Sequence, residues 1–429
     1  MTFLIKFFQK DITNVSFFCV LISLLILFGT HSTLFSVCAL VISLLYVLSA
    51  KNNQEFILMA FLISFASLFK YSADGSSFYT IILLCCVIKY VLSDFKLIKE
   101  MYLFIFFVIF EQLVFGNFTF STTIKLCGGL IYIYYGLNRL NQQQSVACFW
   151  AFALGIFFSS MFFFLDSDFF NIKQFVNGTC ALEGTFGKNI IYRFTGLYND
   201  PNYYAVNLIV ALVLFTILYY NEKINFFVLL VIFVVFGYFT VITYSKSCFL
   251  AFFYPIALVL YICCLKKKFG ILSILISTIA IFSSYVAMGK FSFLNIIINR
   301  FARSSTTNEL TTGRTNIWID YYDFFENNIC NLFYGSSISA PLVKGFQAHN
   351  TYIEILYTCG VIGFILYFWV MRRIFVSNDL FKKRKIFLNY SVMFCLMIMY
   401  FFLSEFLAYD LTWHLLLAGL VYKMNFVDV

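Results

Sequence analysis

The sequence predicts an all-α polytopic integral membrane protein with about 14 transmembrane helices. Hydrophobic residues make up 62% of the chain and charged residues only 11%, whereas soluble proteins carry about 25% charged residues. Apolar runs of about 17 to 20 residues recur throughout, and each is long enough to cross a hydrocarbon core of about 30 Å. This composition excludes a soluble enzyme and predicts that residues 1–429 form one polytopic membrane domain.

Each apolar run is assigned to one span, with boundaries good to a few residues. In chain order the predicted spans cover residues 14–29, 32–50, 55–70, 77–93, 100–116, 119–138, 145–165, 201–220, 224–243, 245–265, 269–288, 349–371, 386–405 and 409–422. The first run follows two lysines but has no small-residue cleavage site, so we expect an uncleaved span rather than a signal peptide.

The distribution of Lys and Arg predicts the orientation. Most of these residues fall in alternate short connections, and such connections usually face the cytoplasm. Both termini are therefore predicted inside, and the two long loops, 166–200 and 289–348, are predicted to face the periplasm. Of the short outward connections, only those with Lys70 and Lys246 carry a cation.

Buried charges and cysteines are interpreted as mainly structural. Glu111 and Lys125 lie at similar depth on adjacent spans, so we expect a mutual ion pair. The 13 Cys show no zinc-type spacing, and nearly all lie in apolar runs. Only Cys180 and Cys330 occur in the long loops, where a disulfide between them is possible.

Three spans that start at the outer face carry polar residues at their first turns. A helix N-terminus offers free N–H groups and a partial positive charge, which favour phosphate. Residues that share this position are, in chain order, Arg193, Asp200 and Asn202 at the eighth span, Ser245 and Lys246 at the tenth, and His349 and Asn350 at the twelfth. Helix capping alone explains Asp200 with Pro201. A lysine reaching toward the headgroups would equally explain Lys246.

The second long loop is predicted to contain an amphipathic helix over residues 313–327. Thr311 or Thr312 can cap it, and Arg314 lies in its first turn. One face is apolar and is formed by Ile317, Tyr321, Phe324 and Phe325. We expect this helix to lie along the membrane surface with its aromatic residues at headgroup depth.

Taken together, these motifs resemble the O-antigen polymerase and O-antigen ligase superfamily of bacterial surface-polysaccharide assembly. The matching stretches are Arg193-Phe194-Thr195-Gly196, Asp200-Pro201-Asn202, Thr243-Tyr244-Ser245-Lys246, Asn299-Arg300-Phe301, Gly313-Arg314 with Trp318, and His349-Asn350 followed by Gly360-Val361-Ile362-Gly363. They cover about residues 190–370 in the family's order. Lys246 departs from the pattern, since the family more often has Arg there, and Lys lacks bidentate geometry.

The resemblance implies a metal-independent glycosyltransferase without cofactors, in the bacterial inner membrane with its active site facing the periplasm. Its donor would be a glycan on undecaprenyl pyrophosphate, and its environment membrane lipid. A chain-length regulator is a possible partner, and no nucleic acid is expected. Arg193 and Arg314 would stabilise the leaving pyrophosphate, with Arg300 behind them, and His349 would be the catalytic base. Further contacts to pyrophosphate or sugar are assigned to Lys246, Asp200, Asn202 and Asn350.

Three functions remain open at this point. A polymerase, which moves the growing chain onto a new lipid-linked repeat unit, is the favoured interpretation. A ligase that transfers the glycan to lipid A-core is the main alternative, and the residues do not separate the two. A flippase or transporter is disfavoured, because no internal repeat is found and the charges gather in loops rather than at the bilayer midplane.

Overall fold

The computed structural model describes residues 10–72, 76–93, 96–115, 118–166, 181–186, 189–198, 200–271, 273, 313–338, 340–377, 386–404, 406 and 408–424. Predictions concerning Arg300, Cys180, the capping threonines Thr311 and Thr312, and most of the span 269–288 lie outside these residues. Because Cys180 lies outside them, the disulfide considered between Cys180 and Cys330 stays untested.

Helices make up most of the described chain. In the first half they are α1 (Lys10–Gly29), α2 (Thr33–Ser49), α3 (Gln54–Leu62), α4 (Tyr79–Ser93), α5 (Lys99–Val114), α6 (Phe120–Thr123), α7 (Gly129–Arg139) and α8 (Gln142–Asp166). In the second half they are α9 (Pro201–Tyr220), α10 (Phe226–Ile242), α11 (Lys246–Leu265), α12 (Arg314–Asn327), α13 (Ile329–Tyr334), α14 (Thr351–Ser377), α15 (Ile386–Asn389), α16 (Ser391–Tyr400) and α17 (Tyr409–Met424).

A multi-pass membrane protein is consistent with these elements. Within the described ranges, four helices are long and apolar enough to cross a membrane, namely α8, α9, α11 and α14. The total of 14 spans and their orientation stay predictions. The all-α expectation missed one feature, because the first long loop contains an antiparallel hairpin of β1 (Ala181–Phe186) and β2 (Asn189–Tyr192).

Helix α9 lies at the centre of the bundle and is buried along nearly its whole length. Helices α8, α10, α11, α16 and α17 all pack against it. An edge-to-face contact joins Phe215 of α9 to Trp150 of α8, with ring centroids 4.6 Å apart. Because α9 is surrounded by other helices, its N-terminal turn is a fixed point around which neighbouring segments are arranged.

The helix observed in the predicted span 55–70 is shorter than expected. Helix α3 ends at Leu62 and tightens into a 3₁₀ turn over Ile63–Phe65 before the chain reverses. The Ser77 hydroxyl donates to the Ala66 carbonyl (2.6 Å), and the Phe78 amide donates to the Phe69 carbonyl (2.7 Å). These bonds satisfy backbone groups that a continuous helix would have paired internally.

The ion pair predicted between Glu111 and Lys125 is wrong. Both carboxylate oxygens of Glu111 are buried, and neither pairs with Lys125. Lys125 instead lines a cavity together with Lys70. It lies in a π-helical stretch, Ile124–Gly128, between α6 and α7. The position of a residue along its span does not fix the direction of its side chain.

Helix α14 is broken at Gly360, which has φ +62°. Carbonyl groups released by the break accept hydrogen bonds from the segment that follows α13. The Ser336 amide donates to the Tyr357 carbonyl (2.8 Å), and the Ser337 amide donates to the Thr358 carbonyl (3.2 Å). Gly335, with φ +88°, allows this approach, because a Cβ there would lie 2.2 Å from the Thr358 oxygen. The α12–α13 segment is thereby held against α14.

The amphipathic helix is confirmed as α12, and part of its apolar face packs on protein. Tyr321 is buried against Ala348 and Tyr357, and Ile317, Phe324 and Phe325 pack around it. Contact of this helix with lipid headgroups stays a prediction. The N-cap position is occupied by Gly313, which makes no side-chain capping bond.

Replacing Gly335 by Ala should lower the thermal stability of the purified protein strongly, because backbone atoms of α14 occupy the space of the added Cβ. Gly345→Ala is a matched control, since Gly345 has a similar φ of +81° but no atom within 4 Å of where a Cβ would lie. The control should show only the cost of a left-handed alanine, about 1–2 kcal/mol. Melting curves in detergent compare the two, and equal midpoints would contradict the packing described here.

Candidate functional site

Three helix starts meet at one place, and each carries a side-chain cap. Asp200 accepts a hydrogen bond from the Asn202 amide (2.6 Å) at the start of α9. At α11, the Ser245 hydroxyl accepts from the amide three residues later (3.4 Å). At α14, the Asn350 side-chain oxygen accepts from the amides two and three residues later (3.0 and 3.1 Å). These caps order three helix N-termini whose partial positive charges favour an anion.

Arg193 ties two of these starts together. Its side chain is buried, with Nε donating to the Thr243 carbonyl (2.8 Å) and a terminal nitrogen donating to Oδ1 of Asn202 (3.1 Å). The same Asn202 oxygen accepts from the Ser245 hydroxyl (2.5 Å). A buried guanidinium requires such acceptors, so its position is fixed by the ends of α9, α10 and α11.

Phe194 anchors the segment that carries Arg193. Its amide donates to the Ile242 carbonyl (3.1 Å), and its ring stacks on Phe239 with centroids 5.5 Å apart. Gly196 follows with φ +54° and lies against the ring of Tyr204, 2.8 Å from where a Cβ would be. Aromatic packing therefore holds the loop between β2 and α9 in one conformation.

Arg314 and His349 are brought to the same site by α12. Arg314 is the first residue of α12, and Trp318 one turn later donates from its indole to the Ala348 carbonyl (2.9 Å). The position of Trp318 thus fixes the residue next to His349. Arg314 lies near enough to Asp200 and His349 for their charges to interact.

The local electrostatics favour a neutral imidazole. Burial lowers the pKa of His349, the nearby Arg314 cation lowers it further, and Asp200 acts weakly in the opposite direction. Burial also lowers the pKa of Arg314, but a guanidinium stays protonated in proteins. At neutral pH the site therefore holds a fixed cation beside an uncharged base.

Next to His349 lies a cavity of about 680 Å³. Its polar lining includes Lys70, Lys125, Asp200, His349, Glu354 and Asp410, with serines 64, 67, 76, 77 and 404. Cavities of this size, with a few convergent polar groups, are typical of sites for small molecules or the head of a larger ligand.

In a continuous helix Glu354 would not share a face with His349, because five residues separate them. The structure shows why that geometry does not apply. His349 precedes the helix, with φ +48°, and α14 begins only at Thr351. Both side chains line the same cavity, and Glu354 also accepts a hydrogen bond from the Phe406 amide (3.1 Å).

Four cavity residues were missed as site residues: Lys70, Lys125, Glu354 and Asp410. A usable signal was present, since an ionisable residue inside an apolar segment is a candidate functional residue by default. By contrast, His414 lies away from the cavity lining. It is fully buried and bonded to Tyr400 (2.9 Å) and Asn207 (3.0 Å), which fits a structural role.

The remaining predicted site residues have defined positions. Lys246 is the first residue of α11. Asp200 and Asn350 each use a side-chain oxygen to accept a hydrogen bond from a backbone amide at a helix start. Arg300 lies outside the described residues. Among the residues that are described, no group of three or more His, Cys, Asp and Glu could hold a metal ion.

Comparison with known proteins identifies one family. Residues 231–368 match the family model described as O-antigen ligase. The match covers less than half of the chain and includes Arg314 and His349 but not Arg193. It confirms the resemblance to the O-antigen polymerase and ligase superfamily. No curated protein and no solved structure matches the chain.

The pKa of His349 can be tested without knowledge of the substrate. In a His31→Asn background, modification of His349 by diethyl pyrocarbonate should persist to lower pH than in the same protein with Arg314→Gln. The reason is that removing the cation stabilises the imidazolium and raises its pKa. Peptide mass spectrometry measures the modified fraction at each pH. Identical titration curves would show that the charge of Arg314 does not act on the pKa of His349.

Proposed function

We propose that this protein is a glycosyltransferase that moves a growing glycan from undecaprenyl pyrophosphate onto a new lipid-linked repeat unit. The reaction would take place at the periplasmic face of the inner membrane, without a metal ion. One observation carries the proposal: Arg314 lies within range of the charges of His349 and Asp200, and Asp200 caps the helix whose Asn202 binds Arg193. His349 and Asp200 also line the cavity. The family match of residues 231–368 supports the same reaction class.

The two arginines fit the demands of the leaving group. In the transfer, the bond between the anomeric carbon and the pyrophosphate oxygen breaks, and negative charge grows on the phosphate. Arg193 and Arg314 can stabilise that charge, since arginine is always protonated and matches phosphate geometry. Arg193 is held in advance by Thr243 and Asn202, so little reorganisation is needed when the charge develops.

His349 fits the demands of the acceptor. A new glycosidic bond forms between the anomeric carbon and the acceptor oxygen, and the proton of that hydroxyl passes to the imidazole. Only the neutral imidazole can accept it. Burial and Arg314 lower the pKa of His349, so the base is ready over a wider pH range than an exposed histidine.

The cavity suits a saccharide better than a lipid chain. Its wall carries hydroxyl, carboxylate and ammonium groups, and such groups hydrogen-bond to sugar hydroxyls. The polyprenyl tail would lie outside the cavity, between apolar helices. Glu354 and Asp410 are placed to orient the acceptor sugar while its reacting hydroxyl faces His349.

A ligase that transfers the glycan to lipid A-core is the second candidate. The description of the matching family model favours it, and the site chemistry is the same for both. Deleting the gene distinguishes the two in cells. Loss of a polymerase should leave single repeat units on lipid A-core, whereas loss of a ligase should leave long chains on undecaprenyl pyrophosphate.

Replacing His349 or Arg314 by Ala should reduce glycan joining by purified protein by about 10²-fold or more, the range expected for a general base or an oxyanion stabiliser. Lys344→Ala serves as the control. Lys344 is an exposed cation in the same region, paired with Asp320 at 2.6 Å, and its loss should leave the rate unchanged. Product length is measured on gels with labelled lipid-linked substrate.

Normal product from both His349→Ala and Arg314→Ala would remove the mechanism. Arg314→Lys adds a finer test, because it keeps the charge but loses the paired N–H groups. Its rate should fall between those of wild type and Arg314→Ala, provided that the proteins are equally abundant in the membrane.

The pH profile tests the base separately. Because the pKa of His349 is lowered, the neutral form persists into mildly acidic solution, and kcat/KM should fall only below the usual titration range of histidine. In Arg314→Gln the residual activity should have its acid limb at higher pH, since the His349 pKa rises. An acid limb that does not move would argue against His349 as the base.

A further inference from the structure

The mechanism above gives no catalytic role to the side of the cavity that is formed by the first half of the chain. Lys70 and Lys125 lie there, together with hydroxyl groups of Ser64, Ser67, Ser76 and Ser77. Neither lysine was assigned to the site from the sequence. Lys70 is one of the few cations in a short connection predicted to face outward, against the usual bias.

Lys70 is presented by an ordered reversal of the chain. An isolated β-bridge pairs Lys70 with Ser77. The Ser67 hydroxyl donates to the Leu197 carbonyl, which joins the reversal to the loop carrying Arg193. The Phe78 amide donates to the Phe69 carbonyl (2.7 Å). The position of this cation is therefore fixed relative to the loop that carries Arg193.

Lys125 is presented by an unusual helical turn. The stretch Ile124–Gly128 is π-helical, and such turns are rare and frequent at functional sites. Gly129 follows in close contact with Thr412, where a Cβ would lie 2.4 Å from the hydroxyl oxygen. The turn is thus held against α17, and Lys125 reaches the cavity half-buried.

The two ammonium groups repel each other, because Lys70 lies within range of the charge of Lys125. Bringing two like charges together at a partly buried surface is unfavourable, and an anion between them reverses that cost. With serine hydroxyls around them, the two lysines supply the donors that a phosphate or carboxylate group accepts.

We propose that Lys70 and Lys125 form a second anion subsite, which binds a negatively charged group of the acceptor while Arg193 and Arg314 bind the donor pyrophosphate. The inference rests on the proposed function, in which two substrates meet in one cavity. A lipid-linked acceptor carries its own diphosphate, and an acidic sugar carries a carboxylate. Both present anionic oxygens to the same two lysines.

Such a subsite would give the cavity two ends. The acceptor would be held by its anion at the lysine wall, and its reacting hydroxyl would extend toward His349 on the other wall. Fixing one end of the acceptor reduces the entropy that is lost when its hydroxyl meets the donor. Loss of the lysines should therefore raise the acceptor KM and leave donor binding intact.

The test counts diphosphate sites with farnesyl pyrophosphate as the probe, using native mass spectrometry and calorimetry of the purified full chain. Wild type should bind two molecules. Lys70→Gln with Lys125→Gln should lose one site, with its Kd raised about tenfold or more, and Arg314→Gln should lose the other. Lys70→Arg with Lys125→Arg should retain both sites, which also controls for folding.

A matched charge control is the double variant Lys267→Gln with Lys344→Gln. Both lysines are exposed and lie outside the cavity, so this variant should still bind two molecules of the probe. If Arg314→Gln abolishes a site while the lysine double variant binds like wild type, the second subsite is refuted and the proposed function stands. If wild type binds no probe at all, the proposed function itself fails.

A second arm identifies the source of the anion. Glucuronic acid at millimolar concentration should displace farnesyl pyrophosphate from the lysine subsite alone if the anion is a sugar carboxylate. If displacement fails while the lysine variants still lose the site, the carrier diphosphate is the ligand.

Discussion

The burial of one guanidinium group organises the site. Arg193 can be buried only if its N–H groups have acceptors, and the structure supplies them from Asn202 at the start of α9 and Thr243 at the end of α10. Asn202 in turn accepts from Ser245 at the start of α11. Removing a partner from such a network leaves a buried charge unsatisfied, which costs several kcal/mol. The loop after β2 and three helix ends are therefore held together through this one buried residue.

A second constraint comes from backbone groups that cannot be left unpaired in a membrane. Helix α14 breaks at Gly360, and the carbonyls it releases are taken by the amides of Ser336 and Ser337. Because this segment continues from α12, the break also positions Arg314 near His349. The short helix α3 ends in a similar way, and its reversal carries Lys70 to the cavity. Irregular backbone is thus concentrated where the chain lines a polar space, as in other membrane proteins with sites between helices.

Much of the helical pattern could be predicted from the sequence, because long apolar runs and capping residues are local signals. The predicted span 201–220 and the helix Pro201–Tyr220 coincide, and Asp200, Ser245 and Asn350 cap the helices they precede. Three features depended on non-local contacts and were missed. The π-helical turn redirected Lys125 away from Glu111, the positive φ of His349 placed it outside the helix containing Glu354, and protein covered part of the aromatic face of α12. Hydrophobic periodicity reports which face is apolar, but not what covers it.

The central claim is that Arg193, Arg314 and His349 surround one diphosphate. A cryo-electron microscopy map of the protein with a non-transferable lipid-diphosphate analogue tests it most directly. The diphosphate should lie between the two guanidinium groups, at the starts of α9 and α11, with the imidazole of His349 facing the sugar-bearing oxygen. Diphosphate density bound elsewhere, with Arg193 and Arg314 contacting only protein, would contradict the account.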